Sequence, residues 1–199
     1  MAENTIFTNR EISFLRELKK QGVEFMIVGA AAAALQGAPI VTQDIDLWFK
    51  DIADPALRKA VAKVGGAIVP SVGLHPPTFA GGGVELFDIV LTMHGLGTFD
   101  EEILNSILVD LRGLSVRILP LDRIIKSKET VGRPKDRLTL PVLKDALATI
   151  ERKKRARAGR PTKAPEVPIR RRSGGAGRGA SARPATGSGR GRRPSGRCR

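Results

Sequence analysis

Two aspartates stand at alternate positions in "QDIDLWF": Asp44 and Asp46, set among Ile45, Leu47, Trp48 and Phe49. A third, Asp88, sits in another apolar stretch, "ELFDIVL". Carboxylates are costly to bring near a core unless something positive holds them. Residues i and i+2 of a strand point to the same face, so Asp44 and Asp46 project together while Ile45 and Leu47 face the other side. Side by side they repel, and one takes up a proton unless a cation lies between them. Magnesium suits the arrangement, because it accepts one or two protein carboxylates and completes its shell with water and substrate phosphates. If the Asp88 strand pairs beside the first, three carboxylates converge on one small volume.

The elements that must position these groups alternate along the chain. "TNREISFLRELKKQG" has Thr8 and Glu11 in capping-box spacing, apolar residues at helical intervals, and a stop at Gly22. "VEFMIVG" reads as a buried strand, "AAAAALQG" as a short helix closed by Gly37, and "DIDLWF" as a second strand. "DPALRKAVAKVGG" is a helix with Pro55 in its first turn. A glycine-rich turn then leads to a strand over about 84–91. "TFDEEILNSI" predicts a helix, "LSVRILP" a short strand and "LDRIIKSKETVG" a further helix. "RPKDRLTLPVLKDALATIERKKRAR" is helical, with Pro141 expected to break or kink it. The alternation predicts an α/β (α+β) class with one mixed sheet flanked by helices.

Composition divides the chain. From residue 152 onward there are 17 Lys and Arg against the single Glu166, a charge of +16; residues 1–151 carry 17 basic and 19 acidic residues, a charge of −2. The expected organisation is a folded domain over 1–151 and a disordered, basic Arg/Gly/Pro-rich tail over 152–199, which has too little apolar content to offset its ordering entropy. The tail has no aromatic residue, so its attraction to nucleic acid would rest on phosphates and be salt-sensitive. One cysteine, Cys198, and two histidines, His75 and His94, exclude an intrachain disulfide and make a closed zinc site improbable. No apolar run approaches the roughly 20 residues of a membrane helix, and the N-terminus has no signal pattern. The expectation is a cytoplasmic protein without a membrane partner. Trp48 is expected in the core; His94, beyond a strand end, in a structural or solvated setting, with a catalytic role as the alternative; and "GLHPPTFAGGG" as plain surface loop, with a mobile loop near a site as the alternative.

The ordered combination "IVGAAAAALQGAPIVTQDIDLWF", "ELFDIVL" and "LDRIIKSKETVGRPKDRLTLPVL" resembles the nucleotidyltransferase superfamily with the polymerase-β-like fold. Within it, the chain is most similar to small bacterial proteins near the AbiEii-type toxin nucleotidyltransferases. The resemblance spans about Glu24 to Leu147 and leaves the tail aside. It implies that Asp44 and Asp46 are a metal-binding pair, and that Asp88 is a third metal-site carboxylate that helps activate the acceptor hydroxyl. It further implies that Gly29 and Ala30 belong to the loop cradling nucleotide phosphates, and that Lys128, Arg133, Lys135 and Asp136 match a "K…R-x-K-D" stretch whose basic residues reach the triphosphate. The implied cofactor is magnesium or manganese, the implied substrate an NTP, and the implied reaction in-line transfer of a nucleotide to an acceptor hydroxyl on RNA or protein. A cognate antitoxin or protein target is the implied partner.

Three positions depart from the family pattern. Ala30 replaces the loop's usual serine or glycine, Ile40 a common basic residue, and Thr139 a second acid. They define the alternative: a catalytically weakened nucleotidyltransferase-fold module that binds nucleic acid or a protein partner through its basic tail.

Overall fold

The computed structural model describes residues 7–71, 73 and 76–158. His75, Cys198 and the tail from Gly159 onward lie outside the described residues. In chain order the elements are α1 (Asn9–Lys20), β1 (Phe25–Ile27), α2 (Gly29–Leu35), β2 (Ile45–Phe49), α3 (Pro55–Lys63), β3 (Ala67–Val69), β4 (Thr78–Ala80), β5 (Phe87–Val90), α4 (Phe99–Asn105), β6 (Ile107–Leu111), β7 (Leu114–Ile118), α5 (Leu121–Val131) and α6 (Pro134–Ala158).

Five strands form a mixed sheet in the order β5-β2-β1-β7-β6. β1–β2 and β6–β7 pair antiparallel, whereas β1–β7 and β2–β5 pair parallel. This is the mixed sheet flanked by helices that the alternating pattern predicts. Two further features were not expected: the small antiparallel sheet β3–β4, and the edge strand β6.

Local chemistry accounts for three helix ends. Thr8 and Glu11 form the anticipated capping box, with the Thr8 N–H donating to Glu11 Oε2 at 2.7 Å. Asp54 caps α3 by accepting from the Ala56 N–H at 2.8 Å, with Pro55 behind it in the first turn. α5 ends at Gly132, whose φ of 63° is left-handed. Of the break or kink expected at Pro141, the break does not occur: α6 is continuous through it and seven residues past the expected boundary at 151. Proline removes one bond, leaving the Arg137 carbonyl without its usual partner four residues on, and the rest of the helix is long enough to absorb that loss.

One sheet face holds Ile45, Leu47 and Phe49 of β2 and Phe87 and Ile89 of β5, all buried. Phe14 of α1 meets the Phe87 ring edge-on at 4.9 Å and the Phe79 ring at 5.6 Å. On the opposite face Trp48 is buried against Phe99 of α4, ring centroids 5.6 Å apart. Asp46 and Asp88 share that second face. One side chain ties its helices together: the Gln36 amide donates to the Ala32 carbonyl at 2.9 Å and the Leu119 carbonyl at 3.0 Å, and its oxygen accepts from the Leu121 N–H at 2.8 Å. The end of α2 is thereby joined to the start of α5.

Candidate active site

The parallel register of β2 and β5 sets Asp46 directly opposite Asp88. Partners in a parallel pair project to one face, so both carboxylates enter the same space. Asp44 lies two residues before Asp46, at the entry to β2, and is exposed. All three line one cavity of about 680 Å³. Burial, then the neighbouring Asp88, pushes the Asp46 carboxyl up to about 6, with Asp44 adding to the rise; Lys128 and Lys135 pull the other way. Asp88 is raised as well, by burial and then by Asp44, with Lys135 opposing.

Gly29 makes room for this carboxylate. At the end of β1 the Val28 N–H donates to the Asp46 carbonyl at 2.9 Å, and the chain then turns into α2 through Gly29 at φ 64°. A side-chain carbon at position 29 would overlap Asp46 Oδ2. Gly29→Ala is therefore expected to cost about 1–2 kcal/mol in backbone strain alone, with displacement of Asp46 added to it. Thermal melts of the metal-free protein check this, and a variant as stable as the parent would show that the close approach is not real.

The basic side of the cavity comes from α5 and α6. Lys128 Nζ donates to Asp136 Oδ1 at 2.7 Å, and Arg133 Nε to Asp136 Oδ2 at 2.9 Å. Asp136 is fully buried and is not part of the cavity wall, whereas Lys128, Arg133 and Lys135 are. Burial pushes the Asp136 carboxyl up, but the hydrogen bonds and charges of Lys128 and Arg133 outweigh it and hold it below the usual carboxylate range. Asp136 thus fixes two cations rather than facing the cavity itself. Lys135 is exposed and enters no ion pair among the described residues. Thr139 also faces the cavity, with its hydroxyl spent on the Lys135 and Asp136 carbonyls at 3.3 and 3.2 Å.

Ala30 lines the cavity beside Gly29 and brings no hydroxyl to it. The stretch after β5, Thr92 to His94, forms another wall, of which the sequence singled out His94 alone, exposed in the structure. A glycine signalled it: Gly95 has φ 73°, and a side chain there would overlap the Thr130 hydroxyl, so the stretch is pressed onto α5. Nearby, the buried Glu102 accepts from Arg123 Nε at 2.8 Å and from the Gly97 N–H at 3.1 Å, joining α4 to α5. Arg123 foremost holds the Glu102 carboxyl below its ordinary range.

Among the described residues no three His, Cys, Asp or Glu side chains close on a point that would hold a metal ion. The three aspartates therefore do not form a closed protein cage. They do supply hard oxygen donors on one side of an open cavity, and two of them are short of positive charge. That donor set fits an ion that keeps most of its shell for water and phosphate. Among the described residues no helix is long and apolar enough to cross a membrane.

The chain matches no family model and no curated protein. Among solved structures it is similar to ANT(2'')-Ia in complex with adenylyl-2''-tobramycin, at 18% identity, covering 74% of this chain and 95% of that one, with a TM-score of 0.48. It is similar to the solution structure of the same antibiotic-resistance factor at 16% identity, 79% and 95% coverage and a TM-score of 0.48. An antigenic nucleotidyltransferase-like protein from Paracoccidioides brasiliensis matches at 17% identity, 75% and 89% coverage and a TM-score of 0.43. What the chain does is read below from its own residues.

Proposed function

We propose that the chain is a nucleotidyltransferase of the polymerase-β-like fold, moving a nucleotide from an NTP to an acceptor hydroxyl. One observation carries this: Asp46 and Asp88 stand opposite each other in the parallel register, with Asp44 beside them, across a cavity from Lys128, Arg133 and Lys135. Anions on one wall and cations on the other fit a metal–triphosphate, which presents both signs of charge. The basic side chains bind the phosphates, Lys135 with all three of its protons and Lys128 with those not given to Asp136. Asp44 and Asp46, with Asp88, would hold magnesium or manganese, which when bound stabilises charge on the attacking and leaving oxygens. Asp88 is the more exposed partner of the register pair and accepts the proton of the acceptor hydroxyl. The new oxygen–phosphorus bond forms as the α–β bridging bond breaks, and pyrophosphate leaves. Incubating the full chain with labelled NTPs, magnesium and total RNA or lysate tests the reading; label retained by neither RNA nor protein, with any of the four NTPs, would refute it.

Ala30 and the basic tail favour the second reading, a weakened module that binds nucleic acid or a protein partner. The same assay separates the two, since a module binds RNA without labelling it. We take the folded unit to end with α6 rather than at 151. Cutting after Ala158 is then expected to leave the melting temperature unchanged, while non-specific nucleic-acid binding weakens. Its log–log salt slope should shrink by about 0.7 for each single-strand phosphate that the tail had neutralised. A truncated chain that melts earlier would show that the tail contributes to the fold.

A further inference from the structure

β6 is an edge of the five-stranded sheet, paired to β7 without interruption from Ile107 to Leu111. Among the described residues no strand pairs with its outer side. Free edges are ordinarily blunted by lysine, proline or a bulge, and β6 carries none of these. Instead Leu104, Ile107 and Leu108 are 84%, 40% and 61% exposed there.

Hydrogen-bond parity decides which groups this edge offers. The two-residue loop Arg112–Gly113 closes on Leu111 and Leu114 as a hydrogen-bonded pair, so Val109 and Ile107 also bond to β7. The N–H and C=O groups of Leu108 and Asp110 therefore point away from the sheet. The Ser106 carbonyl does so too, while its N–H is spent on the Ile103 carbonyl at 3.2 Å.

Charge then selects the occupant. Arg117 of β7 stands opposite Leu108 but reaches toward Ser106, donating to its Oγ at 2.9 Å. Asp110 lies on the other side of Leu108, with Oδ1 taken by the Gly113 N–H and Oδ2 left over. Both are exposed, and neither enters an ion pair among the described residues. Along the edge the order is cation, leucine, acid. A second copy laid antiparallel reverses that order, so acid meets cation at both ends. A parallel copy sets like against like, and an unrelated strand has no reason to match.

We propose that two copies of the chain pair antiparallel through β6, about a two-fold axis at Leu108. The two Leu108 residues exchange N–H···O=C bonds, and each Asp110 N–H donates to the carbonyl of the partner's Ser106. Each Asp110 carboxylate then lies beside the partner's Arg117, and Ile107 packs against the partner's Val109. A register centred on Val109 also satisfies parity, but it brings Arg117 beside the partner's Arg112. The pairing continues the sheet from one copy into the next. β2 and β5 lie toward the opposite edge, so the carboxylate-lined cavity stays open.

Strand pairing with few side chains makes a small contact, and small contacts are weak. Sedimentation velocity of the full chain, freed of nucleic acid, is therefore run from about 1 to about 200 μM. Monomer is expected to give way to dimer and to nothing larger, because a two-fold contact closes on itself. Leu108→Pro is expected to abolish the dimer and leave the monomer folded in thermal melts, since the N–H it removes faces away from β7. Asp110→Arg and Arg117→Asp are each expected to weaken self-association at least about tenfold, as attractions become repulsions. An equal mixture of those two variants is expected to restore it, because each reversed charge then faces its opposite. A chain still monomeric at about 200 μM would overturn the proposal and leave the edge to another occupant. Growth beyond the dimer, a dimer that a folded Leu108→Pro variant retains, or a mixture no more associated than its components would each overturn it as well. Should the proline variant unfold, the mixture decides alone.

Discussion

Replacing Asp46 with asparagine is expected to abolish the proposed nucleotide transfer and, at pH 7, to raise the stability of the metal-free protein by about 3 kcal/mol. The two effects have one cause. Asp46 is pushed up to about 6 by burial and by Asp88, so the folded chain holds its proton more tightly than the unfolded chain, whose ordinary value is 3.8. Its ionisation therefore opposes folding fully above about pH 6, and the penalty disappears as pH falls through about 4. Asp88 is raised too and acts in the same direction. Asp136 and Glu102 are lowered, so their contribution is present above the ordinary carboxylate range and is lost as pH falls below it. Metal-free protein should accordingly be most stable between about pH 4 and 6, and the advantage of the asparagine variant should vanish across the same interval. Melting temperatures taken across pH decide it; a parent protein that loses stability steadily from pH 7 to pH 4 would contradict the assignment.

Asp136→Ala should act with the opposite sign, lowering stability by about 3–5 kcal/mol, the range for breaking a buried ion pair from one side. Asp136 is inaccessible to solvent and bonds both Lys128 and Arg133. Its loss opens a space at the start of α6 and releases two cations from the cavity wall. NTP affinity should therefore fall even where the variant remains folded, which binding measured well below its melting temperature will show. Asp136→Asn keeps the volume and one acceptor, and should fall between parent and alanine in urea unfolding. Equal stability of all three would mean that the two ion pairs contribute nothing to the fold.

Much of the cavity's lining was legible because its signals are local. The i, i+2 spacing of Asp44 and Asp46, an acid inside "ELFDIVL", and the capping residues Thr8 and Asp54 all act within a few residues. What the sequence left open was register: no local rule states that Asp46 faces Asp88 rather than Leu86 or Val90. The strand β6 was hidden for a related reason. It joins β7 through Arg112 and Gly113, both at positive φ, with Leu111 opposite Leu114. A two-residue hairpin of that kind is ordinarily announced by Asn-Gly or Asp-Gly; here Asp110 supplies the missing acceptor from outside the loop, bonding the Gly113 N–H at 3.0 Å. β3 and β4 are three residues each, too short for alternation to show. The role of Asp136 was hidden as well, since "R-x-K-D" does not say which of its charges is buried.

The three bonds of Gln36 reach beyond packing. The first amides of a helix normally exchange their protons with solvent quickly, because no carbonyl of the preceding turn covers them. The Leu121 amide is an exception, closed by an oxygen whose own side chain is anchored at the Ala32 and Leu119 carbonyls. A glutamate there would accept but could not donate, so the joint depends on an amide. Opening it means parting α2, which begins at Gly29, from α5, which bears Lys128. Deuterium uptake at that single N–H thus times the separation of two walls of the carboxylate-lined cavity.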